Sequence, residues 1–424
     1  MGKKKGILFA GVGVCVLLLV IGLVLIQPED KQEIGQQGTS QNNEIEYTEK
    51  LVSLEQAKEQ FASDIKELKA GEYSNLIGKE FAASIEAVES LCKFRIVKNS
   101  ERYTTQENVG PMIEALEQFF GDLLDKSKLY GTAYMLEANG EIPDGALGEE
   151  VAYDEMMKRL NAENGTKYVV SGGLVLASEC YAHIDPAFGN TWFSKRSLNT
   201  SLPSGEWPMK EYLYVTGIRQ EEMTIQLQDK AYSLSELEKK VLDYVNGEAF
   251  PLPQHGELSY QIGTTHVMDM GDKDTINFVL RRVYKGVPFE YGSESSSGEY
   301  MDKFVHDYTR INYVDGTQPD TIMGFLDLKG TIEVSKEITQ MIPAREALRL
   351  LSEQIGENSV YEVYGVELIY RDSVTRDDKE PGIAVNMEPK WKIITINQND
   401  DKYTLFYVDV VTGEITNRFE YYYD

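Results

Sequence analysis

Lys390-Trp391-Lys392-Ile393-Ile394-Thr395-Ile396 and Tyr403-Thr404-Leu405-Phe406-Tyr407-Val408-Asp409-Val410 are two runs dense in β-branched and aromatic residues, and they predict two strands. The polar stretch Asn397–Lys402 closes them into a hairpin, and Thr412-Gly413 supplies the next turn. Upstream, Ala344, Ala347, Leu348 and Leu351 recur at helical spacing within Ile342–Ile355, and Glu362–Tyr370 adds another strand. A helix laid across an antiparallel sheet buries the apolar face of both, so the fold class is α+β.

A similar order occurs earlier. Leu234, Leu237, Val241, Tyr244 and Val245 form a helical face, followed by strand-like Leu258–Ile262, Thr265–Met270 and Thr275–Tyr284, with a polar turn at Asp269–Asp274. Two copies of one unit would explain this order, and so would chance similarity; the sequence leaves both open. Gly292–Gly298, between them, reads as an exposed loop.

Towards the amino end, Ser53 and Gln56 have capping-box spacing ahead of the stripe Leu54, Ala57, Phe61, Ile65 and Leu68, and Gly71 stops that helix. Phe81, Ile85 and Val88 predict a second helix, Phe94–Tyr103 a strand, Pro111–Leu124 and Val151–Leu160 helices, and Tyr168–Leu176 a strand around Gly172-Gly173. Phe188–Pro208, rich in Gly, Ser, Asn and Pro, reads as a loop and a seam. The expected divisions are an N-terminal α+β part at 49–205, a middle α+β unit at 206–335 and a C-terminal unit at 336–424.

Residues 1–48 differ from all of this. Lys3, Lys4 and Lys5 precede an uncharged run, Ile7–Ile26, and twenty helical residues span about 30 Å, the thickness of a bilayer's hydrocarbon core. The lysines mark the cytoplasmic side, so residues 1–6 are expected in the cytoplasm, 7–26 across the cell membrane and the bulk of the chain outside it. The run ends Val24-Leu25-Ile26-Gln27-Pro28, a poor cleavage site, and Cys15 lacks the small preceding residue that lipid attachment requires, since Val14 stands there. Residues 27–48, polar and rich in Gln, Asn and Glu, read as a flexible linker.

The chain has 424 residues, 42 Lys+Arg and 69 Asp+Glu, for a net charge of −27; setting aside the three lysines leaves −30 on the rest. Such a surface cannot neutralise phosphates, which excludes a nucleic-acid partner. At 42% hydrophobic and 10% aromatic, most of the chain can bury a core. Three cysteines exclude a disulfide-dense scaffold. Cys92 and Cys180 could bridge outside the cell, adding about 4–5 kcal/mol by closing a long loop, or Cys92 could pack as a small apolar residue; both readings stay open.

Complete chemical motifs are missing. His183, His255, His266 and His306 are scattered, with no His-Glu-x-x-His pair. Gly11 and Gly13 lie inside the apolar run, and no Gly-x-Ser-x-Gly elbow occurs. Ser63-Asp64-Ile65-Lys66 and Ser197-Leu198-Asn199 fit the first two elements of penicillin-binding enzymes, but Lys329-Gly330-Thr331 has the third in the wrong order, and Ser63 falls on the polar side of its helix. Asp269, Asp272 and Asp274 lack EF-hand spacing and read as a solvated turn. No catalytic, metal or cofactor-binding residue is assigned. Trp391 is expected to cover the apolar face of its sheet, and Asp409 to bond turn amides.

Pro389, Trp391 and Ile393 followed by Tyr407-Val408-Asp409-Val410-Val411-Thr412-Gly413-Glu414-Ile415 resemble the last hairpin of PepSY domains and the end of YycH/YycI-type regulators. Glu367-Leu368-Ile369-Tyr370 is similar to the latter, and Arg282-Val283-Tyr284-Lys285-Gly286-Val287-Pro288 is similar to the corresponding strand of an earlier copy. The Asp409-Val410-Val411 stretch is nearer to PepSY than to those regulators, which often carry Asn-Ala there. The likeness covers about the last third of the chain. It implies a Gram-positive envelope protein with one span that modulates a membrane sensor kinase. In a bacterium the sequons at Asn164 and Asn199 carry no meaning. The expected function is a non-enzymatic, membrane-anchored regulator or accessory protein whose partners are the lipid bilayer and a membrane protein, a sensor kinase or another envelope complex. The alternatives are a PepSY-like inhibitor of an envelope peptidase and a cell-wall peptide hydrolase. The oligomeric state is not readable from the sequence.

Overall fold

Ser53 opens the first helix as its spacing predicts. Its Oγ accepts from the Gln56 amide at 3.2 Å, and Gln56 Oε1 accepts from the Ser53 amide at 3.0 Å. In this computed structural model the described residues are 50–99, 114–123, 129–135, 149–152, 155, 158, 168–177, 180–185, 190–195, 209–213, 223–250, 257–290, 309–313, 319, 321–325 and 330–419, with short breaks inside the longer spans. Residues 1–49 lie outside them, and with them the expected span and linker; among the described residues no helix is long and apolar enough to cross a membrane.

The first part runs β1 (Val52–Ser53), α1 (Leu54–Lys69), β2 (Leu76–Gly78) and β3 (Leu91–Asn99). The middle part begins with α2 (114–120), then β4 (Leu129–Met135), β5 (Glu149–Ala152), β6 (Tyr168–Ala177), β7 (Cys180–Asp185), β8 (Asn190–Ser194) and β9 (Met209–Leu213). It continues through β10 (Thr224–Leu227), β11 (Lys230–Ser233), α3 (Leu234–Val245), β12 (Leu258–Asp269), β13 (Asp274–Tyr284), β14 (Val287–Pro288), β15 (Thr309–Tyr313) and β16 (Thr321–Phe325). The last part is β17 (Gly330–Ile338), β18 (Gln340–Met341), α4 (Ala344–Ile355), β19 (Tyr361–Ser373), β20 (Gly382–Asn397), β21 (Tyr403–Asp409) and β22 (Ile415–Phe419).

Two large sheets result among the described residues, beside two two-stranded ribbons, β1 with β18 and β10 with β11, and α+β is the architecture. The larger has eleven described strands in the order β5-β4-β6-β7-β8-β16-β15-β13-β12-β9, with β14 on β13. The smaller has seven, β17-β3-β20-β19-β2, with β21 and β22 extending from β20. The long strand β20 shares one edge between two neighbours: β3 pairs with Gly382–Met387 and β21 with Lys390–Ile396. All these pairings are antiparallel except the one between β2 and β19.

Each sheet is covered on one face by two helices. Ala57, Phe61, Ile65 and Leu68 of α1 and Ala344, Ala347, Leu348 and Leu351 of α4 meet over the smaller sheet in one core. Asp64 Oδ2 accepts the Arg345 amide at 3.1 Å and so caps α4, whose own N-cap residue, Pro343, makes no side-chain cap bond. Ala115, Leu116, Phe119 and Phe120 of α2 and Leu237, Val241 and Val245 of α3 build the second core on the larger sheet.

Several expectations need correction. Phe81, Ile85 and Val88 are buried, yet the described residues of 79–90 contain no helix; the Val88 amide bonds the Ile85 carbonyl at 3.1 Å in a tight turn, and the Glu89 amide bonds the Lys285 carbonyl. Their helical spacing is that of a loop dipping into the core. Val151 lies in β5, with helix described only at Glu155 and Lys158 in that stretch. The Phe188–Pro208 loop contains β8, whose pairing with β7 and β16 carries the larger sheet onward. The expected separation of Leu258–Ile262 from Thr265–Met270 is a bulge at Gly263 inside β12. Strands on both sides of 205/206 belong to the larger sheet, and β17 spans 335/336. The smaller sheet instead combines β2 and β3 with strands from the carboxyl end.

Candidate functional site

The β13–β14 hairpin joins the two layers. Its tip, Lys285-Gly286, has φ of 49° and 78°, the left-handed pair that a two-residue hairpin turn with the strands' own twist requires. A Cβ on Gly286 would lie 1.8 Å from the Ala87 carbonyl oxygen, so only glycine allows the tip to seat against 87–89. Beyond it, Tyr284, Val287 and Phe289 enter the core of the smaller sheet. Phe94 touches Tyr284 and Tyr370 at 4.8 Å between ring centres, and Phe289 bridges to Tyr370 as a parallel pair. Aromatic contacts of this kind add about 0.5–1.5 kcal/mol each beyond the area they bury.

At the end of this hairpin, on the face of the smaller sheet away from α1 and α4, the layers exchange charge. Lys392 on β20 and Glu290 just after β14 are both almost wholly buried, and the ammonium donates to both carboxylate oxygens at 2.8 Å. Tyr407 on β21 donates its hydroxyl to Glu290 at 3.2 Å, and the Arg371 guanidinium lies 3.8 Å over the Tyr407 ring. Arg281 on β13 meets Glu367 on β19 with two contacts, at 3.2 and 3.4 Å. With its amide oxygen turned towards that guanidinium, Gln261 accepts from it at 2.5 and 2.6 Å. Burial pushes the Glu290 carboxyl upwards, but Lys392, Arg281 and the Tyr407 hydroxyl outweigh it and hold the group below the ordinary carboxylate range. Ile369, Ile394 and Leu405 wall this face.

Further along the same strands Lys390 approaches Asp409 at 3.4 Å and Glu388 at 3.6 Å, while Lys93 meets Glu388 at 2.7 Å. Asp409 accepts the Val411 and Thr412 amides at 2.9 and 2.8 Å, the turn role expected of it. Burial raises its carboxyl, and those amides together with Lys390 bring it below the ordinary value.

These charges neutralise one another across strands; they present no nucleophile beside a base. The sequence-level candidates stand apart from them. Ser63 and Lys66 are exposed on α1, Gly330 and Thr331 begin β17, and Ser197–Asn199 and Lys329 lie outside the described residues. His183 on β7 and His266 on β12 are five strand positions apart in one sheet, about 24 Å, and His255 and His306 lie outside the described residues. Asp274 is buried and accepts the Gln226 amide at 2.7 Å, which makes it part of the sheet's packing and not of an exposed cation loop; Asp272 lies outside the described residues. Among the described residues no group of three or more His, Cys, Asp or Glu is placed to hold a metal ion. Cys92 is a free, buried thiol near the Tyr370 hydroxyl at 3.7 Å, so the bridge to Cys180 is not formed.

The junction residues Glu290, Lys392, Arg281 and Glu367 were not singled out from the sequence. The available signal was a charge inside an apolar strand: Lys392 between Trp391 and Ile393, and Arg281-Arg282 between Leu280 and Val283. No protein-family model matches the chain, and a comparison with curated proteins finds no match.

Proposed function

We propose that the chain is a non-enzymatic, single-pass membrane protein that works by contact, with Ile7–Ile26 as a transmembrane helix, 27–48 as its linker and the layered α+β part outside the cell. Its partner in this reading is a membrane sensor kinase or another envelope complex that it modulates. The two helix–strand–strand units around α3 and α4 would be copies of one module, one in each layer. The observation that carries the reading is the pairing of Lys3–Lys5 and an uncharged twenty-residue run with a following part of charge −30. It is supported by the use made of the buried charges Glu290, Lys392, Arg281 and Glu367, which are spent on joining layers.

The test is affinity purification of the tagged full chain from membranes, with protease treatment of intact protoplasts alongside. The expected results are that external protease removes the bulk of the protein, that one membrane protein co-purifies, and that Ser63→Ala and single His→Ala variants retain it. Replacing Ile7–Ile26 with an unrelated span should weaken that association. Protection of the bulk from protease, or loss of function in a folded and correctly located Ser63→Ala variant, would overturn the reading.

A further inference from the structure

We draw no further inference here: the strongest candidate, the outer edge of β17 in the smaller sheet around the exposed Val334, carries nothing because the bulge at Ser335 and the exposed Glu333, Lys336 and Glu337 are features that blunt a strand edge against pairing, and nothing in the structure shows what covers it.

Discussion

The Trp391 indole donates to the Ile342 carbonyl at 2.7 Å, and both residues are wholly buried. The same ring stacks on Phe61 at 5.7 Å with 6° between planes. One side chain thus ties β20 to α1 and to the residues that lead into α4. Trp391→Ala should cost about 3–5 kcal/mol, and Trp391→Phe about 1–3 kcal/mol for the orphaned carbonyl. Urea unfolding of both variants measures this, and an unchanged midpoint for the alanine variant would contradict the packing role.

Gly286→Ala combines a left-handed φ with a backbone collision against Ala87. The hairpin tip would have to lift, drawing Tyr284 and Val287 from the smaller sheet's core. A loss of at least about 3 kcal/mol is expected, well beyond the usual cost of a surface substitution. The comparison is Gly71→Ala, where a Cβ meets nothing within 4 Å and only the φ strain remains.

Asp64 gives a pH effect opposite to that of Glu290. Burial raises its carboxyl above the ordinary 3.8, despite the Arg345 amide that it accepts. Its favourable contribution is fully present below that value and is lost as pH rises through the folded one. Asp64→Asn keeps an acceptor for Arg345 without the buried charge, so it should melt above the wild type at pH 7 and level with it at about pH 3. Asp64→Ala should fall by about 1 kcal/mol through loss of the cap. Calorimetry at both pH values distinguishes these outcomes.

Cys92 should resist alkylation in the native protein. Its site is wholly buried, and burial pushes the thiol upwards, so little reactive thiolate exists there. Iodoacetamide followed by peptide mapping should modify Cys92 only after denaturant is added. Rapid native labelling would show that β3 opens.

The local parts of this fold were legible because their causes are local. Ser53 with Gln56, the spacing in α3 and α4, and the apolar density of β20 and β21 each act within one turn or one strand. Illegible was everything set by partners far along the chain. Phe81, Ile85 and Val88 match a helix in spacing, yet they fill a loop whose shape is dictated by a hairpin tip about two hundred residues later. β8 hides in a Gly- and Ser-rich stretch because a strand between β7 and β16 gains its stability from the ladder on both sides. The charged junction was hidden for the same reason: Glu290 and Lys392 are about a hundred positions apart, and no spacing rule joins them.

β3 lies between β17 and β20, and Lys93 meets Glu388 across a separation of 295 residues. A ribosome adding about 5–20 residues per second takes on the order of 15–60 s to cover that distance. For all of that interval α1 and β3 have been made but have no sheet to complete, with Phe61 and Phe94 waiting for surfaces not yet synthesised. The smaller layer is therefore the last to close although it contains the first strands, and a nascent chain must be kept from pairing the two bare edges of β3 with a neighbour.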